Sequence, residues 1–393
     1  MQKSLRSLAV VVPGPILGIL AFAVYMATLS TGAFPGESAQ QIVQYAGLAP
    51  RLTPDHQVWA WLVGLVSMIP AGGLAAKLNV MSAVCGALTV WCLYLAVRGT
   101  IRGVIDEEAF GERTADAASV LAGVAAAGAF AFCVPFWIVS HRAYVASFDI
   151  LLFVFCAWLF VRYAIGGWRI AAAAFAFLYG AGCVESATFV VFAPFAYLSL
   201  LLLMGKHGRL RPGFSMLIFA VCLAGLSLYL AAAWDFFHSA GAPLKDCRSL
   251  TDALWLEWGT QYELIARSLP REGWLLILLM SAAPWLTALA VARRGLTDEK
   301  DWTYYVLHTV MTAIVLAALF ETRLSPGRIA AQANTLLVTP HLLLSVVFGY
   351  LAAYWHMLAV TIFAPGEDSG RLLLRKIPAA VVAAAFVVLV CVF

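Results

Sequence analysis

The sequence predicts an all-α polytopic integral membrane protein, and three observations carry that prediction. Mean hydropathy is +0.89, and 63% of the 393 residues are hydrophobic against 12% charged, which excludes a soluble domain. Many apolar runs reach the roughly 18 to 25 residues that a helix needs to cross a bilayer. Runs such as 170–181 and 378–393 are apolar without alternation, whereas the strands of a membrane barrel alternate over about ten residues.

Taken in order, length and turn residues place spans at 8–29, 76–97, 117–138, 147–165, 168–184, 186–204, 213–234, 273–292, 302–320, 334–362 and 377–393, about eleven in a single membrane domain of residues 1–393. The basic start Met1 to Arg6 followed by a spanning run reads as a retained signal anchor. The apolar stretch from Val58 to Pro70 is short and ends in the breaker Pro70-Ala71-Gly72-Gly73, so it is expected as an interfacial helix on the outer face. That helix belongs to a first outer loop, 30–75; a second large outer loop covers 235–272. The last span ends at Phe393 on the outer side, so a further outer domain is expected to be missing or to belong to another chain.

Charge supports this arrangement. Cytoplasmic loops are enriched in Lys and Arg, and with the N-terminus inside, 16 of the 25 basic residues fall on the inner side. The net charge of +4 is spread over those loops, which argues against nucleic-acid binding. Seven of the eight cysteines lie in predicted spans, so neither a disulfide framework nor a cysteine metal cluster is expected. No Gly-rich turn that would hold a nucleotide cofactor is found.

Candidate functional residues gather on the outer side. Glu37, Asp55 and His56 form a polar patch where water, carboxylate and lipid headgroup meet. Asp55 and His56 open onto the interfacial helix, where either can meet substrate or Asp55 can act as an N-cap. A metal site from Glu37, Asp55 and His56 is not expected, because three loosely spaced ligands are a weak pattern. Asn79, Arg142, Asp149 and Glu185 are costly at bilayer depth and each needs a partner or a wet cavity. Arg142 is expected either to pair with Asp149 or to bind a phosphate, and Glu185 to stand in a tight outer turn, 180–186, that presents it to water. In the second loop, Asp246 and Arg248 lie among aromatics, a mixture that suits a sugar or lipid phosphate and equally an interfacial helix. Arg323 and Arg328 flank Ser325-Pro326-Gly327, where they can clamp a phosphate or pair with Glu321 and headgroups.

Several of these residues carry a resemblance. Tyr25 to Leu29, Pro35-Gly36-Glu37-Ser38, Pro70-Ala71 and Lys77 to Ala83 resemble a bacterial family of multispanning membrane proteins known as a domain of unknown function. That family is grouped with the GT-C glycosyltransferases, and its animal relatives are protein O-mannosyltransferases. Pro135-Phe136-Trp137 with Tyr144, and Pro243 with Asp246 and Thr251 to Trp255, resemble its later outer segments. The resemblance covers roughly residues 20–260 and is strongest from Leu78 to Val90. The chain departs from the pattern at Phe34, where the family has an Asp, and at Thr53-Pro54-Asp55-His56, where it has His-Pro-Pro-Gly. It departs again at Arg142 in place of a Glu and at Val184-Glu185 in place of Asn-His.

The resemblance implies a GT-C-like bundle in the bacterial inner membrane. There a sugar would pass from a polyprenyl-phosphate donor to a protein or lipid acceptor on the outer face, with membrane lipids as further partners and no cofactor. Such chemistry needs a base for the acceptor hydroxyl and a positive group for the leaving phosphate. Glu37 is the expected base, with Asp55 as a replacement for the acid missing at Phe34. His56, Asn79, Arg142, Glu185, Asp246, Arg248, Arg323 and Arg328 are the expected substrate contacts. Two other classes stay open: a catalytically degenerate relative that binds lipid or acts as a scaffold, and a lipid or solute transporter. Against the transporter stands the lack of an internal repeat or of paired broken spans.

Overall fold

A computed structural model describes residues 12–49, 56–105, 111–238, 247 and 249–268, and scattered helical positions between 338 and 360. Its described residues form α-helices and no strand. In chain order these are α1 (Pro13–Ala27), α2 (Glu37–Tyr45), α3 (Gln57–Ser67), α4 (Leu74–Val104), α5 (Glu112–Phe132) and α6 (Val134–Ser140). They continue with α7 (Ala146–Gly166), α8 (Arg169–Glu185), α9 (Ala187–Lys206), α10 (Pro212–Leu226), α11 (Leu228–His238) and α12 (Leu250–Ser268).

The 31-residue α4 is the central post, and α1, α5 and α7 pack along it. At 1.5 Å per residue it is about 46 Å long, more than a bilayer core requires. α7 lies between two cores and shows a different stripe to each. Ile150 and Val154 join Ala122, Ala126 and Phe130 of α5 and Tyr94 of α4. Leu152, Cys156, Leu159 and Tyr163 join Phe175, Tyr179 and Cys183 of α8. In a lipid solvent, close packing of small residues is what holds helices together. The backbones of α8 and α10 touch at Gly180 and Gly225, where a Cβ on Gly225 would lie 2.2 Å from the Phe177 carbonyl oxygen.

Among the described residues, four helical stretches are long and apolar enough to cross a membrane: Leu74–Val104, Glu112–Phe132, Ala146–Gly166 and Pro212–His238. This supports a helical membrane protein, while the eleven spans expected are not reached among the described residues. Of the run 8–29, the described part, 12–29, forms the 15 residues of α1. The expected span 117–138 stops at Phe132, because Pro135 has no N–H and its ring clashes with the carbonyl of the preceding turn. The expected spans 273–292, 302–320 and 377–393 lie outside the described residues, as does most of 334–362.

The two ends of the bundle differ. One carries Arg102, whose Nε donates to Asp116 Oδ1 at 2.8 Å, Arg162 stacked 4.1 Å over the Trp168 ring, and Arg209, which donates to the Gly167 carbonyl. The other carries the loop before α2, the start of α3, the junction between α6 and α7 and the end of α8. Tyr25 fastens α1 near that second end by donating to the Ala131 carbonyl at 2.8 Å, one of the orphan acceptors in the last turn of α5.

Candidate functional site

Two clusters of polar side chains meet at this second end. The first is built around the start of α3. His56, the residue before that helix, has φ 57° and ψ 49°, the left-handed region that side chains seldom occupy. Three contacts hold the turn. Gln57 donates through Nε2 to Asp235 Oδ2 of α11. The backbone N–H groups of Val58 and Trp59 donate to Glu185 Oε1 at 2.5 Å and Oε2 at 3.2 Å. A helix start leaves several N–H groups without intrahelical acceptors and carries positive dipole charge, so a carboxylate placed there satisfies both. Trp59 completes the anchor, fully buried against Phe148.

Glu185 is therefore not a water-facing turn residue. It is 1% exposed, because α8 runs without a break through Gly180 and Gly182 and delivers the carboxylate under α3. The last turn of α8 is fixed on its other side by α11 and α12. The Tyr229 hydroxyl and the Gln261 amide both donate to the Cys183 carbonyl, at 2.7 and 3.0 Å.

Asp149, in the first turn of α7, is also 1% exposed. Its Oδ1 lies 3.9 Å from His56 Nδ1. The expected pairing with Arg142 gives way to this contact with His56. Ligand-capable atoms of His56, Asp149 and Glu185 all lie within 4.8 Å of one another.

The second cluster joins the loop before α2 to the junction of α6 and α7. Glu37 opens α2, and Gln41 one turn later donates to its Oε1 at 3.0 Å. Arg142 places its guanidinium 3.4 Å from the centre of the Phe34 ring, a cation–π contact, and its charge acts on the hydroxyl of Tyr144. Burial, and then the charge of Glu37, push the Tyr144 hydroxyl above its usual range while Arg142 pulls it back. Asn79, fully buried, sets this geometry by donating through Nδ2 to the carbonyls of Ser30 at 2.7 Å and Gly32 at 3.2 Å. Ser30 N in turn donates to the His141 carbonyl at 3.2 Å. Asn79 thus spends its amide on positioning the segment that carries Phe34 and Glu37.

Asp55, Asp246, Arg248, Arg323 and Arg328 lie outside the described residues. Of the remaining expected site residues, the structure gathers His56 and Glu185 in one cluster and Glu37 and Arg142 in the other, with Asn79 behind the second. It adds Gln57 and Asp235, whose partnership spans 178 residues of sequence and leaves no local signal. It also turns Asp149 from a structural partner into a member of the buried cluster; its cost at bilayer depth was the available clue.

Comparison with known families gives one finding. The family described as "Protein O-mannosyl-transferase TMEM260 N-terminal domain" matches residues 55–207. That segment carries α3 to α9, all of the His56–Asp149–Glu185 cluster, and Arg142 and Tyr144; Glu37 precedes it. The match relates this stretch of chain to protein O-mannosyl-transferases. No curated protein matches the chain.

Proposed function

We propose that the chain is a GT-C-type membrane glycosyltransferase that moves a sugar from a polyprenyl-phosphate donor to a hydroxyl acceptor on the outer face of the bacterial inner membrane. The observation that carries this reading is that Arg142, stacked on the Phe34 ring, shares with Glu37 the bundle end that also holds the buried polar cluster. A carboxylate and a guanidinium there provide the base and the positive group that sugar transfer from a lipid phosphate needs. The similarity over residues 55–207 supports the reaction class.

In the proposed step the acceptor O–H gives its proton to Glu37, and its oxygen forms the new bond to the anomeric carbon. The bond from that carbon to the phosphate oxygen breaks, and polyprenyl phosphate leaves with the electron pair. Arg142 meets the phosphate oxygens, with Arg248, Arg323 and Arg328 as further phosphate contacts; Asp55 is the second candidate base. The acceptor is a protein or lipid hydroxyl. The eleven-span topology with a cytoplasmic N-terminus belongs to the same proposal and follows the charge asymmetry of the loops.

A second reading is favoured by one observation. Phe34 and Arg142, which stand where the resembling family carries acids, are in contact with each other. A catalytically degenerate relative that binds the lipid donor without turning it over fits that pair. Purified protein in nanodiscs, given radiolabelled polyprenyl-phosphate sugars with and without Glu37→Gln, separates the two. Donor consumption that depends on Glu37 supports the transferase. Binding without turnover in either form favours the degenerate relative, and no binding at all removes both.

A further inference from the structure

We propose that His56, Asp149 and Glu185 form a binding site for a divalent transition-metal ion. The expected absence of a metal site rested on a different triple, of which only His56 is retained here. Three separate elements converge on one point: the residue before α3, the first turn of α7 and the last residue of α8. Each brings one ligand atom, and the three lie within 4.8 Å of one another. Around a zinc-sized ion, ligands at about 2.0–2.2 Å sit roughly 3–3.5 Å apart, so closing the site asks for side-chain shifts of about 1 Å.

Charge gives the second reason. Asp149 and Glu185 are each 1% exposed and bring two carboxylates together away from water, an arrangement that buried sites tolerate only with compensating positive charge. The α3 N-terminus supplies about half an elementary charge. A divalent ion held by the three side chains would add positive charge there and join α3, α7 and α8 at a single point. Glu185 remains competent as a ligand although Val58 and Trp59 donate to it, because an ionised carboxylate has about four acceptor positions. The imidazole selects the class of ion: one nitrogen with two carboxylates suits Mn2+ or Zn2+ better than Mg2+ or Ca2+. The left-handed backbone of His56 agrees with this. A side chain is kept where glycine fits best, and strain of this kind collects at ligand sites.

This proposal does not rest on the transferase reading, and its test needs no turnover. The full chain in nanodiscs is stripped with a chelator and titrated with Mn2+, free ion being counted by electron paramagnetic resonance. Mn2+ is preferred as probe because the cysteines compete for softer ions. The expected result is about one bound ion per chain, with affinity at least tenfold weaker in both Asp149→Asn and His56→Gly. Uptake well below one ion per chain, or wild-type affinity in either variant, overturns the proposal. Should Asp149→Asn fail to reconstitute, His56→Gly decides alone, since glycine suits the backbone there and removes only the imidazole.

Discussion

Glu185 accepts the backbone N–H of Val58 at 2.5 Å, so the last residue of one helix caps the first turn of another across 127 residues of sequence. The same carboxylate takes the Trp59 N–H through its second oxygen. The polar contact between α3 and α8 therefore rests on one side chain, and its loss has a defined cost. Glu185→Ala leaves the buried Trp59 N–H and the part-buried Val58 N–H without their acceptor, which is expected to cost about 3 kcal/mol, whereas Glu185→Gln keeps one acceptor oxygen and costs about 1 kcal/mol. Unfolding midpoints of the detergent-solubilised variants check this. An alanine variant as stable as wild type would mean that water or a neighbour caps α3.

His56 allows a test of backbone strain. Its φ of 57° places a β-carbon where L residues pay roughly 1–2 kcal/mol and glycine pays almost nothing. Both His56→Ala and His56→Gly remove the imidazole, but only the glycine variant relieves the strain. With chelator present, the glycine variant is expected to be more stable than the alanine variant by about 1 kcal/mol. The reverse order in chemical denaturation would show that the turn relaxes out of the left-handed region.

Much of the fold was legible because lipid makes the hydropathy pattern nearly sufficient: every described span must satisfy its own backbone as a helix. The placement of Glu37 and Arg142 at one and the same end of the bundle was legible too, as was the cost of Asp149. Partners were not. Nothing local to Gly180 to Ser186 says that Glu185 lies under α3, because that depends on where a helix from another part of the chain docks. Pro135 could have been read as the end of a span, yet the apolar residues on either side hid the break. His56 stands where the resembling family's His-Pro-Pro-Gly run ends in glycine, the one hint of a left-handed residue there, and that departure became meaningful only beside the observed φ.

His141 gives a pH prediction. It is 9% exposed, and its Nδ1 lies 2.6 Å from the Trp137 carbonyl oxygen. A carbonyl only accepts, so Nδ1 carries a proton in this contact. Burial lowers the imidazole below its usual value of 6.5; the hydrogen bond to Trp137 opposes that shift, and the neighbouring charge of Arg142 adds to it. The unfolded chain therefore binds the second proton more readily than the folded one. The resulting stability is fully present above about pH 6.5 and is lost as pH falls through the lower folded value. His141→Gln keeps a donor for Trp137 and removes the titration. The stability difference between wild type and variant should be flat above about pH 7 and shift against wild type on acidification. A difference independent of pH down to about 5 would show that the imidazole titrates alike in both states.

Gly225 tests the contact on which the α8 side of the site depends. A Cβ there would sit 2.2 Å from the Phe177 carbonyl oxygen and 2.9 Å from the Ala181 backbone nitrogen. Both are backbone atoms, so no rotamer change can make room. Gly225→Ala must push α10 away from α8, at an expected cost of about 3 kcal/mol. At Gly213, on the same helix, an added Cβ would meet nothing within 4 Å, so Gly213→Ala serves as the control and should shift the unfolding midpoint little. Displacing α8 also moves Glu185 and Tyr179 on the same helix. The Gly225 variant is therefore expected to lower Mn2+ affinity as well as stability, whereas Gly213→Ala should leave both unchanged. Loss of stability with wild-type Mn2+ binding would mean that α8 keeps its upper turn and yields only around Phe177.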